Sequence, residues 1–262
     1  MISSRDINYC PIITPDANIN RIPLDCIKVA HGDKASEFNM KIEKDKKDAF
    51  QTKPIDQLTE EEVKRYYIET ERYDWVTDIK YPEKLFHILR ERGIANNITK
   101  YGSGERILDL GCGTGLITRH VNCREIIALD INQWAVKKAK SRLEHIKFVV
   151  GDAENLPFKS DSFDIIICTD VLEHLLNPKQ SLQELHRVMK SGAKLIGTVP
   201  SKNIIWKYRK LLTTTCPVSE PFHNNYNISE LKSLLANFSI IKIRYGAFGL
   251  ELFFIGSKGY DT

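Results

Sequence analysis

The sequence predicts an α/β protein: a mostly parallel sheet covered by helices, ending in an antiparallel hairpin and preceded by a partly helical extension. Three observations predict it. From Arg106 onward short apolar runs alternate with helical segments, the pattern of a parallel sheet buried on both faces. The first of those runs stops at a cluster of glycines, Gly111, Gly113 and Gly115. The last two runs are joined only by residues 246–250, too short a link for a parallel crossover.

The elements follow in order. Residues 1–55 lack a clear period; Pro11, Pro15 and Pro23 interrupt them, and Lys41 to Asp48 is a charge run of the kind that stays solvated. Thr59–Arg72 is predicted helical, with Thr59 and Glu62 at capping-box spacing. Pro82–Arg92 is a second helix, with proline in its first turn and Gly93 where a C-terminal cap would fall. Residues 1–100 thus form an extension, and 101–262 a nucleotide-binding domain. Within the domain the predicted strands are Arg106–Leu110, Glu125–Asp130, Lys147–Val150, Phe163–Thr169 and Lys194–Val199. Helices begin at Leu116–Val121 and cover Gln133–Leu143, Pro178–Met189 and Ile228–Leu235, the last capped by Asn227 and Glu230. Ile240–Tyr245 and Glu251–Ile255 form the hairpin.

Composition narrows the function. With 262 residues, 42% hydrophobic and 27% charged, the chain suits one globular α/β domain plus an extension. A net charge of +4 without a clustered basic face does not point to nucleic acid. None of the six cysteines forms a CxxC pair, so no structural zinc site is expected. Cys112 and Cys168 fall in a buried turn and strand. No N-terminal apolar run follows basic residues, and no stretch approaches the roughly 18 apolar residues of a membrane span. A cytoplasmic location is expected.

The chemistry centres on Asp109-Leu110-Gly111-Cys112-Gly113-Thr114-Gly115. Glycines there allow a sharp turn and close approach of a ligand to the backbone. Asp130 ends the next strand, where a carboxylate accepts hydrogen bonds from ribose hydroxyls. The spacing is GxGxG with Leu116 following, instead of the GxGxxG of dinucleotide sites, and Asp109 would repel a pyrophosphate but attract an ammonium. A ligand with ribose and a cationic amine but no phosphate fits, and S-adenosyl-L-methionine is such a ligand. A nicotinamide-dependent oxidoreductase is the poorer alternative.

Residues 106–200 resemble the class I S-adenosylmethionine-dependent methyltransferases, in the subgroup of ubiquinone- and menaquinone-pathway enzymes. The resemblance rests on ILDLGCGTG, IIALDIN, VVGDAENLPFKSDSFDIIICTDVLEHL and LHRVMKSGAKLIGTVP, in the family's order. It implies a Rossmann-like seven-stranded sheet whose last strand is antiparallel, binding S-adenosyl-L-methionine and releasing S-adenosyl-L-homocysteine. It also implies roles. Asp109 meets the methionine amino group, and Gly111, Cys112, Gly113 and Gly115 form the loop beneath the methionyl part. Asp130 holds the ribose with Ile131 near the adenine; Asp152 and Ala153 meet the adenine edge; Thr169 and Asp170 lie beside the methionyl group and the acceptor.

Asp170, Glu173 and His174 share a face if a helix starts at Asp170. Similar clusters in the family hold a divalent cation or order the strand-to-helix turn; the latter is favoured, and no metal is assigned. His174 and His223 are the candidate catalytic histidines, His223 as a general base on a loop after the fifth strand. Lys202 to Leu212 is amphipathic, suiting a lid, peripheral membrane contact or an ordinary helix. Tyr66, Tyr67, Tyr73 and Trp75 are candidates to line an acceptor pocket, with helices Thr59–Arg72 and Pro82–Arg92 acting as a lid. The absence of an Asn/Asp-Pro-Pro-aromatic stretch after the fourth strand argues against base-amino methylation of nucleic acid. A small-molecule or lipid- or carrier-linked acceptor is expected, with O-methylation ahead of carbon or nitrogen. A catalytically silent S-adenosylmethionine-binding partner protein is the alternative.

Overall fold

A computed structural model of the chain describes residues 59–69, 83–101, 106–203, 224–246 and 249–260. Its centre is a seven-stranded sheet in the order β3-β2-β1-β4-β5-β7-β6. The strands are β1 (Arg106–Leu110), β2 (Glu125–Asp130), β3 (Lys147–Val150), β4 (Phe163–Thr169), β5 (Met189–Pro200), β6 (Ser239–Gly246) and β7 (Glu251–Ser257). β1 to β5 pair in parallel, and β7 inserts antiparallel between β5 and β6. The hairpin predicted from the short link is therefore present, and only its second strand runs against the rest.

Alternation along the strands builds a core on each face. Leu108 and Leu110 of β1, Ile166 and Cys168 of β4 and Phe254 of β7 join one apolar cluster. Against it pack Leu182, Leu185 and Val188 of α4 (Pro178–Val188) and Leu231 of α5 (Ile228–Leu234). The other face carries Ile107, Ile165, Ile167, Ile196 and Phe253, covered by Ile94 and Ile98 of α2 (Glu83–Tyr101) and by Ile117. Burying each such side chain contributes roughly 1.5–3 kcal/mol.

α2 runs past the predicted stop at Gly93. Its second half buries Ile94 and Ile98, one turn apart, against the sheet, and the Asn97 amide donates to the Gly93 carbonyl at 2.5 Å. Packing therefore overrides the local cost of a mid-helix glycine, about 1 kcal/mol. α1 (Glu60–Glu69) has the predicted capping box: Glu62 N–H donates to the Thr59 hydroxyl at 3.2 Å, and Thr59 N–H to the Glu62 carboxylate at 2.9 Å. The helix predicted from Leu116 is only a 3₁₀ turn, Thr118–His120, whose Thr118 hydroxyl is tied to Asp109, and β2 begins soon after. α3 (Gln133–Lys140) is capped by Asn132, whose side chain accepts from Ala135 N–H. Residues 1–55, Tyr73, Trp75, His223 and most of the segment from Lys202 to Leu212 lie outside the described residues.

Gly197 of β5 sets the spacing between β4 and β7. A Cβ there would lie 2.2 Å from the Cys168 carbonyl oxygen and 2.4 Å from the Phe254 ring. Gly197→Ala is expected to destabilise the fold by at least about 1–3 kcal/mol, read as a lowered denaturation midpoint; an unchanged midpoint would show that this contact relaxes freely.

Candidate active site

Strand order reverses between β1 and β4, so the crevice at their carboxyl ends is the topological switch point of the sheet. The glycine loop opens into it. Gly111 and Cys112 N–H groups donate to the Leu129 carbonyl at 2.7 and 3.0 Å, turning the chain back over β2. Gly111 has φ +69°, and a Cβ there would lie 2.3 Å from Val171 Cγ2, so two independent constraints demand glycine. Gly113 also has positive φ, +51°, yet has open space on its Cβ side. Cys112 turns away: its side chain joins Ala128, Val136 and Phe148 behind the loop, and burial pushes its thiol well above the ordinary value. It offers the crevice neither its side chain nor its N–H.

Asp130 closes the loop. Its carboxylate accepts from Gly113 N–H and from Asn132 N–H, each at 2.8 Å. Each carboxylate oxygen has room for more than one donor. Ile131 is half-buried beside it. At the end of β3, Asp152 accepts Glu154 N–H at 2.9 Å, and Ala153 is buried.

Asp109 has the most unusual surroundings. It shares the α2-side face of β1 with Ile107 and pairs in register with Ile167 of β4. One oxygen accepts the Thr118 hydroxyl at 2.5 Å; the other is buried with no hydrogen-bond partner. Burial, opposed by the Thr118 bond and aided by the Asp130 charge, pushes its pKa up to about 7.

β4 ends in the buried Thr169, and Asp170 follows at φ +53°. Asp170 N–H donates to the Thr198 carbonyl, and its carboxylate takes the Thr198 hydroxyl at 2.9 Å and the Arg90 guanidinium of α2. A 3₁₀ turn, Leu172–His174, replaces the expected helix. The Glu173 carbonyl, which a continuing helix would bond internally, is taken by Asn224 N–H at 2.9 Å, and the Leu172 carbonyl is shared between Leu175 N–H at 3.4 Å and the Tyr226 hydroxyl at 3.2 Å. Asp170, Glu173 and His174 consequently do not line one helical face. Among the described residues no group of three or more His, Cys, Asp or Glu is placed to hold a metal ion.

α1 lies along this edge. Lys64 pairs with Asp152 at 3.0 Å, with the buried Glu154 at 2.5 Å and with Glu60 at 2.9 Å. Burial works against the Lys64 charge, but the bonds to Glu154, Glu60 and Asp152 outweigh it and hold the ammonium above the ordinary lysine value. The Tyr67 carbonyl accepts from the Asn132 side chain, and the Tyr67 hydroxyl meets His174 Nδ1, both at 2.9 Å.

Residues 108–197 match a family profile described as a methyltransferase domain. Over these residues the chain is similar to the class I S-adenosylmethionine-dependent methyltransferases. It is 31% identical over 54% of its length to a demethylmenaquinone methyltransferase of Paenarthrobacter aurescens, and 29% identical over 56% to a ubiquinone/menaquinone biosynthesis C-methyltransferase of Coxiella burnetii. These matches span 56% and 62% of the relatives' own lengths. A solved S-adenosylmethionine-dependent methyltransferase of Methanosarcina mazei superposes with a TM-score of 0.54 at 24% identity, over 63% of this chain and 98% of that one.

The methyltransferase domain suits that family's methyl donor on two observations of its own. Asp109 presents a buried carboxylate oxygen without a partner, fit for an ammonium, and the backbone at Gly113 is open to close approach. Several residues that build the crevice were not singled out from sequence. Asn132 carries a readable cap signal, whereas Lys64, Arg90, Thr198 and Tyr226 reach it from distant elements without any local pattern.

The raised Asp109 pKa makes a stability prediction. The folded state binds this proton more tightly than the unfolded chain. The resulting stabilisation is complete below about pH 4 and is lost as pH rises toward 7, by at most about 1.4 kcal/mol per unit. Asp109→Asn removes that dependence. The stability of the variant relative to the parent should climb between pH 4 and 7 and then level off in denaturant titrations; a pH-independent difference would contradict the assignment.

Proposed function

We propose that the protein transfers the methyl group of S-adenosylmethionine to a small-molecule or lipid- or carrier-linked acceptor, at an acceptor hydroxyl. The observation that carries this reading is Asp109: a carboxylate kept in an apolar setting, with one oxygen unpartnered, at the switch point of a methyltransferase sheet. Such a group is destabilising by itself and becomes favourable once a cation meets it.

The roles follow along the edge. Asp109 receives the methionine ammonium, and the backbone of Gly111, Gly113 and Gly115 passes beneath the methionyl chain. Asp130 accepts the ribose hydroxyls, with Ile131 against the adenine ring. Asp152 and the Ala153 N–H face the adenine edge, where Lys64 already shows that Asp152 is directed at donors. Thr169 and Asp170 flank the methionyl end. Methyl transfer from a sulfonium then needs in-line alignment and exclusion of water, and α1 is positioned to provide the latter. Residues 1–100 act as the cover and 101–262 as the cofactor domain.

A second reading places the methyl group on a ring carbon next to the hydroxyl. It is favoured by a specific observation, the likeness to proteins named as quinone-pathway methyltransferases, one of them a C-methyltransferase. Deprotonating the hydroxyl activates either atom. Among the described residues no helix is long and apolar enough to cross a membrane.

S-adenosylhomocysteine at 100 times its dissociation constant should stabilise the protein by about 2.7 kcal/mol, a rise of roughly 5–10 °C in melting temperature, while NAD should give none. Asp130→Ala should weaken S-adenosylhomocysteine at least about tenfold in a folded protein. A shift with NADH but none with S-adenosylhomocysteine would overturn the reading. Formation of S-adenosylhomocysteine with hydroxylated acceptors separates an enzyme from a silent binder.

A further inference from the structure

We infer that Tyr67 is the base that takes the acceptor's proton, with His174 and Glu173 behind it as a relay, and that the acceptor hydroxyl is phenolic. This rests on the methyltransferase reading above.

The first argument is position. α1 touches the sheet edge at three places, and they fall in strand order. Lys64 reaches Asp152 after β3, the Tyr67 carbonyl reaches Asn132 after β2, and the Tyr67 phenol reaches His174 after β4. β1 lies between β2 and β4, and its glycine loop packs against Val171 of the same turn that carries His174. Tyr67 therefore spans the crevice over the glycine loop, with its backbone on one bank and its hydroxyl on the other. Lys64 and Tyr67 are three residues apart and so share one helical face. The Tyr66 ring packs edge-on against Tyr67, centroids 5.4 Å apart, and holds it in place.

The second argument is chemistry. Glu173 is buried, and its carboxylate lies 4.0 Å from His174 Nε2. At that distance the carboxylate acts through its charge, favouring a protonated ring; in the tautomer with its proton on Nε2, Nδ1 accepts the Tyr67 O–H at 2.9 Å. Arg90 of α2 adds a favourable electrostatic interaction with Glu173. The order is that of a nucleophile–histidine–carboxylate triad with a phenol in first place. As the acceptor O–H gives its proton to Tyr67 Oη, the Tyr67 proton passes to His174 Nδ1, and Glu173 stabilises the imidazolium. The acceptor oxygen bonds to the methyl carbon while the carbon–sulfur bond breaks and its electron pair goes to sulfur. The proton on His174 then leaves to solvent. A tyrosine hydroxyl, of pKa about 10, is matched to a phenolic proton and poorly matched to an aliphatic alcohol.

Tyr67→Phe keeps the ring and removes the hydroxyl. In ¹⁵N-labelled full-length protein saturated with S-adenosylhomocysteine, assigned with His174→Gln, the His174 Nδ1 resonance should show a hydrogen-bond acceptor that is lost in Tyr67→Phe. An unchanged resonance overturns the relay. With hydroquinone, catechol and phenol as probe acceptors, S-adenosylhomocysteine formation should fall about 10²-fold or more in Tyr67→Phe, and its pH profile should change shape, while S-adenosylhomocysteine affinity and melting temperature hold. Equal turnover in Tyr67→Phe overturns the assignment, as does failure of the parent protein to methylate any of the three phenols. Failure of the parent protein to bind S-adenosylhomocysteine would instead remove the methyltransferase reading beneath it.

Discussion

The constraint on which the site depends is the carboxylate of Asp109. A parallel strand buried on both faces leaves no wet position for a side chain, and Asp109 points into the isoleucine-rich face that α2 covers. The fold gives it one hydroxyl, from Thr118, and leaves its second oxygen buried without a partner. That arrangement shapes its neighbours. The segment after the glycine loop is held against β1 through Thr118. Two residues on, Gly111 adopts positive φ against Val171.

The second organising feature is the set of bonds that fixes the turn after β4. Tyr226 and Asn224 take the carbonyls of Leu172 and Glu173, and Asp170 is pinned by Thr198 and Arg90. His174 is thereby held at the crevice by three separate stretches of chain. Across the gap, Lys64 anchors α1 through Glu154, whose burial penalises an unpaired charge strongly enough to make the docking specific. The sheet and the helices α1 and α2 thus meet through directional polar contacts over the crevice and through apolar contacts of Ile94 and Ile98 on the sheet face.

Much of this was legible in the residues. β1 to β4 occupy the predicted spans because each is a short apolar run bounded by turn residues, and the capping boxes of α1 and α5 follow from Thr59–Glu62 and Asn227–Glu230. The glycine loop, Asp109 and Asp130 converge as their spacing implied. What failed to read out was tertiary. Gly93 looked like a stop until Ile94 and Ile98 found the sheet, and Asp170 looked like a helix start until distant donors claimed the next carbonyls. Cys112, inside the motif, serves the core behind it. The reach of Lys64 and Tyr67 across the crevice depends on how α1 docks, which no local pattern encodes.

The central claim, that the buried Asp109 carboxylate is completed by a cationic ligand, is tested most directly by calorimetric titration of S-adenosylhomocysteine in buffers of differing ionisation enthalpy. An ammonium beside Asp109 lowers its pKa, so binding between pH 6 and 7 should release protons, and the release should vanish by about pH 8.5, where the carboxylate is already ionised. Asp109→Asn should abolish the release and weaken binding. Proton uptake on binding, or a release that persists in Asp109→Asn, would contradict the account.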